Sequence, residues 1–178
     1  MKTKKVLTTK NMVLVAMFAA IMAILSQISF QLPGGVPITL QTFGVVLVGI
    51  ILGPTMGITS ILVYLLMGAV GVPVFANFRG GFDVLIGATG GYLIGFLPMT
   101  YFAGFGKKKP FLYSIVFSIA GLLICHIMGL VMYYTVTGTW ILPSVPLMLA
   151  KDISTTIVAV VLGKEISKQL SFLTVYNK

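Results

Sequence analysis

Apolar runs long enough to cross a bilayer fill this chain, and nearly all of its positive charge lies between them. Ten of the twelve Lys/Arg residues form three clusters: Lys2, Lys4, Lys5 and Lys10; Lys107, Lys108 and Lys109; Lys164, Lys168 and Lys178. A helix needs about 20 apolar residues to traverse the hydrocarbon, and the intervening stretches hold enough for about five or six crossings and little else. Hydrophobic residues make up 58% of the chain and charged residues 8%, whereas soluble domains carry about 25% charged residues. A net charge of +9 does not point to nucleic acid here. The cations flank apolar spans, where they set orientation and meet anionic lipid.

Turn chemistry divides the runs. Pro33-Gly34-Gly35, Gly53-Pro54, the stretch from Val72 to Asp83, the triple lysine and the 137–145 loop cannot continue a membrane helix. The expected spans are about residues 11–30, 36–52, 55–71, 84–105, 111–136 and 146–164. The first apolar run is longer than the roughly 7–15 residues of a signal-peptide core, so a retained helix is expected. An even number of spans puts both termini on one side. All three lysine clusters are then cytoplasmic, ten cations against Arg79 and Lys151 outside. The expectation is an all-α integral membrane protein: one domain, a single bundle of six transmembrane helices, both termini cytoplasmic.

Small residues mark close helix contacts, since lipid supplies no hydrophobic drive between helices. Gly49, Gly53 and Gly57 recur every four residues, as do Gly87, Gly91 and Gly95, and internal packing explains both rows. On the first span, Ala16 pairs with Ala20 and Ala19 with Ala23 at the same spacing. Periodicity leaves open whether that face meets its own bundle or another membrane subunit.

No catalytic constellation is present. The chain has no G-x-x-x-x-G-K-[ST] phosphate loop and no His/Cys cluster with metal-ligand spacing, so neither an enzyme nor a metal site is expected. His126, inside the fifth span, is read as a neutral histidine hydrogen-bonded within the bundle. The lone Cys125 is read as a small buried hydrophobe. The outward face is richer. Lys151 and Asp152 lie about 8–9 Å along the last helix from Pro146, a depth at which a charge should face the bundle or a cavity rather than lipid. Adjacent helical residues diverge by about 100°, so the two side chains should point apart. One reading pairs them with Arg79 and Asp83 to hold the 72–83 loop down. The other makes a small-molecule site, with Arg79 or Lys151 for a carboxylate. Thr39, Gln41, Asn77 and the amides of Gly80 and Gly81 would then serve amide-like groups. Phe75, Phe78, Phe82, Tyr92 and Trp140 would enclose a compact apolar body.

The segments Val36-Pro-Ile-Thr-Leu-Gln-Thr-Phe-Gly44, Leu52-Gly-Pro54, Gly68-Ala-Val-Gly-Val-Pro-Val-Phe75, Arg79-Gly-Gly81 and Gly87-Ala-Thr-Gly-Gly-Tyr-Leu-Ile-Gly95 occur in that order. Together they resemble the BioY family, the biotin-specific S components of energy-coupling-factor (ECF) transporters. The resemblance implies a six-helix subunit of the bacterial plasma membrane that captures biotin at the outer face. It implies a membrane-embedded T component and two cytoplasmic ATPases as partners, and biotin as cargo with no cofactor. The loop around Asn77, Arg79, Gly80 and Gly81 matches the family's substrate loop, Tyr92 the Gly-Gly-Tyr of span four, and Asp152 an acidic residue early in span six. Ala16, Ala20 and Ala23 look like the face by which S components dock on the T component. Two departures stand out. The loop reads Asn77-Phe78 where Gly-Gly is common, and Thr155 replaces a lysine found three residues after the aspartate in many members. Arg79 and Lys151 remain alternative carboxylate partners, and a biotin precursor, another small carboxylate or a standalone facilitator remains an alternative function.

Overall fold

The structure, a computed structural model, describes residues 8–31 and 36–176. Lys2, Lys4, Lys5, Lys178 and the Pro33-Gly34-Gly35 break lie outside the described residues. The α-helices are α1 (Thr9–Gln27), α2 (Gln41–Leu52), α3 (Pro54–Ala69), α4 (Phe82–Ile86), α5 (Gly90–Phe105), α6 (Phe111–Thr137) and α7 (Val145–Tyr176). Two short strands, β1 (Ser29–Gln31) and β2 (Pro37–Thr39), pair antiparallel with Ser29 opposite Thr39. By length and composition, α1, α6 and residues 145–169 of α7 can each cross a membrane.

Several expected helix boundaries move, beginning with the first, which ends at Gln27 rather than near residue 30 because Ser29–Gln31 forms β1. The second helix begins at Gln41 rather than at residue 36, because Pro37–Thr39 pairs with the end of the first segment as β2. The segment expected as the fourth span is two helices, α4 and α5, separated at residues 87–89; glycines at 87, 90 and 91 are poor helix formers. The last helix continues past residue 164 to Tyr176.

Helix α2 holds the centre. Ten of its twelve residues are buried, and an apolar helix covered on all sides belongs in a bundle's interior. A methyl group on Gly49 would come within 2.7 Å of the Thr100 carbonyl of α5, so this glycine sets how closely α2 and α5 approach. Gly57 packs on Thr100 of α5, and Gly91 and Gly95 pack on Met128 and Cys125 of α6, as expected; Gly53 and Gly87 instead sit at turns.

At one end, α2 finishes, α3 starts, and α5 hands over to α6. There, Lys107 Nζ donates to the Ile51 carbonyl at 2.6 Å. Lys164 Nζ donates to the carbonyls of Gly106, at 3.1 Å, and Lys109. The Ile51 carbonyl lies at the end of α2 and the Gly106 carbonyl at the C-cap of α5, positions where basic side chains commonly bond helix-end carbonyls. Burial, and then the neighbouring Lys108, pushes the Lys107 ammonium below the usual lysine range. The opposite end holds the cavity.

Candidate functional site

The cavity opens where α1, α3 and α6 finish and α2, α5 and α7 begin. Its floor is polar and buried: Thr39, Gln41, Thr42 and Asp152, with Lys151 beside them. Its walls are apolar: Phe75, Val84, Leu93, Phe96 and Met148, with Tyr92. Exposed Gln31, Asn77 and Arg79 form its rim.

Asp152 organises the floor. One carboxylate oxygen accepts from Thr42 Oγ1 at 2.5 Å and meets Lys151 Nζ; the other lies 3.0 Å from His126 Nε2. Lys151 Nζ also donates to the Thr39 carbonyl at 2.7 Å and to Thr42 Oγ1 at 3.3 Å. An ammonium has three protons, and here each has an acceptor. The expectation that Lys151 and Asp152 point apart is therefore corrected. Their Cα–Cβ directions diverge, but the four-carbon lysine stem curls back over the helix. His126 is bonded within the bundle, as read from sequence, and its partner is Asp152. Among the described residues, His126 Nδ1 is buried with no hydrogen-bond partner.

The cross-pairing between the two charged segments does not form. Arg79 pairs with its own neighbour Asp83 at 3.9 Å, with 57% and 74% of the two side chains exposed.

The Phe75 ring lies on Gly68, where a Cβ would sit 2.0 Å from it, and stands edge-on to Tyr64 with centroids 5.6 Å apart. Tyr64 accepts from Gln41 Nε2 at 2.7 Å and donates to the Val74 carbonyl at 3.2 Å. This chain ties the start of α2 to the loop after α3. The break before α5 leaves Thr89 on the cavity and lets Tyr92, one helical turn on, face it too.

Of the residues expected at the site, Thr39, Gln41, Phe75, Asn77, Arg79, Tyr92, Lys151 and Asp152 converge on this cavity. Gly80, Gly81 and Trp140 do not line it. The Gly81 amide donates to the Gly68 carbonyl at 2.7 Å, and Gly80 packs against the backbone of Val72. Trp140 stacks on Tyr134 with centroids 4.4 Å apart, because a left-handed turn at Gly138 folds the loop back on the end of α6. Phe78 and Phe82 are exposed and do not line the cavity either. Ala16 and Ala20 lie exposed on α1, whereas Ala23 is partly buried against the core. Thr42, Thr89, Phe96 and Met148 escaped the sequence reading. Helical spacing could have found three of them: Thr89 and Phe96 flank Tyr92 at three and four residues, and Met148 precedes Asp152 by four.

Comparison with known proteins identifies the family of the chain. The BioY family model matches residues 1–172. The chain belongs to the BioY family. A probable biotin transporter BioY of Pyrococcus horikoshii is 45% identical over 120 residues, which are 67% of this chain and 72% of that relative. The biotin transporter BioY of Thermotoga maritima is 40% identical over 122 residues, covering 67% and 72%. Among solved structures, the S component for biotin from an ECF-type ABC transporter superposes with a TM-score of 0.80 at 24% identity. It covers 91% of this chain and 95% of that one. This BioY chain therefore has the S-component fold, that of a membrane transport protein.

Proposed function

We propose that the chain is the substrate-capturing S component of an ECF-type importer and that its cargo is biotin. The observation that carries this reading is the cavity itself: an apolar slot between the polar Asp152–Lys151–Thr42 floor and an exposed, charged rim at Arg79. Biotin has matching parts: a ureido ring, a compact apolar bicycle and a chain ending in a carboxylate. The ureido group faces the floor, where Asp152 accepts one N–H. The carboxylate faces Arg79. Lys151 is the poorer partner for it, because all of its donors are already engaged.

In this reading the chain crosses the plasma membrane of a bacterium six times with both termini inside. The lysines at the end remote from the cavity support that orientation. The family relatives make transport, not catalysis, the activity. No cofactor is involved. Energy comes from two cytoplasmic ATPases acting through a membrane-embedded T component, which docks on α1 at Ala16 and Ala20, with Ala23 at the edge of that contact. The chain's lack of a phosphate loop accords with separate ATPases.

Calorimetry of the detergent-purified protein with biotin, desthiobiotin and a carboxylate-blocked biotin amide tests the cargo. Biotin is expected to bind and the amide to bind more weakly; no heat with any of the three defeats the assignment. Uptake into proteoliposomes only after addition of the T component and ATPases separates an S component from a standalone facilitator.

A further inference from the structure

We infer that Gln27, the last residue of α1, is a positioning residue of the ligand site: its carboxamide clamps the 75–78 backbone and so holds Asn77 and Arg79 at the cavity mouth. The role rests on the ligand reading above, but the clamp is a property of the free protein. Gln27 does not itself line the cavity.

The clamp is reciprocal. Gln27 Nε2 donates to the Phe75 carbonyl at 3.1 Å, and the Phe78 amide donates to Gln27 Oε1 at 2.9 Å. One side chain thus supplies the donor and acceptor that a neighbouring strand would offer. The same Nε2 reaches the Ala23 carbonyl at 3.2 Å and Ser26 Oγ at 2.8 Å, so its two protons are shared and the carboxamide is fixed to the helix end. Ser26 Oγ in turn donates to the Val74 carbonyl at 2.6 Å.

The clamped segment needs such support. Asn77 and Phe78 are consecutive left-handed residues, with φ of 59° and 55°. Asparagine tolerates that region; phenylalanine avoids it. Phe78 is 73% exposed, so no burial of its ring compensates. Within the clamp, Asn77 Oδ1 accepts from Ser29 Oγ at 2.8 Å, and Asn77 and Arg79 both line the cavity. Without Gln27 the segment should leave the left-handed region and carry both rim residues away.

Apparent affinity falls with the fraction of protein in the competent conformation, so a loop ordered about one-tenth of the time raises Kd about tenfold. The test uses the purified full chain and two readouts: biotin affinity by calorimetry, and hydrogen exchange at the Phe78 amide without ligand. Gln27→Ala should weaken biotin about tenfold or more and accelerate Phe78 exchange, with little change in thermal midpoint. Gln27→Glu keeps an acceptor for Phe78 but cannot donate to Phe75, and should fall between. Unchanged Phe78 exchange in Gln27→Ala overturns the clamp. Faster exchange with unchanged biotin affinity overturns the positioning role. An affinity loss matched by a general fall in thermal midpoint, with other amides exchanging faster too, makes Gln27 a residue of global stability and also overturns it. If the parent protein binds no biotin, the cargo assignment fails by itself, and Phe78 exchange still decides the clamp.

Discussion

Arg79 and Asp83 meet across 3.9 Å with 57% and 74% of their side chains exposed, whereas Lys151 and Asp152 keep 22% and 3% exposed and share their contact with Thr39, Thr42 and His126. Both are cation–carboxylate pairs close in sequence at the same end of the bundle. An exposed pair is worth about 0–1 kcal/mol, so a ligand carboxylate can take the guanidinium from Asp83 at little cost. Separating the buried pair strands charges away from water, at about 3–5 kcal/mol. One pair is thus an exchangeable contact and the other a fixed floor.

The largest effect is expected from Asp152→Ala, which leaves Lys151 and His126 facing each other with no acceptor between them. Stability should fall by about 3–5 kcal/mol, and biotin binding should vanish. Adding Lys151→Met should restore much of the thermal midpoint without restoring binding. A double variant that binds like the parent would break the comparison, because the floor would then be structural only. Asp152→Asn keeps the shape and removes the charge. With a charged-acceptor bond worth about 1.5–3 kcal/mol, biotin affinity should drop about ten- to a hundredfold.

At the rim, Arg79→Gln should weaken biotin about tenfold, the value of a lost contact near 1.4 kcal/mol, and leave the biotin amide nearly unaffected. Lys151→Gln should weaken both ligands alike. The reverse pattern in calorimetry would move the carboxylate to the floor. The smallest change belongs to Asp83→Asn, which frees Arg79 from its competitor. Biotin should bind slightly tighter, and stability should shift by no more than about 0.5 kcal/mol.

Hydropathy made the long helices legible, because each carries its own apolar length. It could not show α2 starting only at Gln41, since Ile38 is as apolar in a strand as in a helix. The break before α5 was written in Gly87, Gly90 and Gly91, yet Gly87 and Gly91 also read as part of a packing row. At the site, rarity was the useful signal: Arg79, Lys151, Asp152 and Asn77 stand out in an apolar chain. Thr42 and Met148 do not, and only their partners identify them. Trp140 misled because a large aromatic in an outer loop suits a cavity lid as well as a stack on Tyr134. The curl of Lys151 onto Asp152 followed from a flexible stem that helical angles ignore.

The chain contains one tryptophan, and it stands outside the cavity against Tyr134. A ligand on the Asp152 floor cannot quench that indole by touching it. Emission from Trp140 is therefore a gauge of movement at the junction of α6 and α7 rather than of occupancy. A titration that calorimetry sees and fluorescence does not would mean that the cavity fills without displacing that corner.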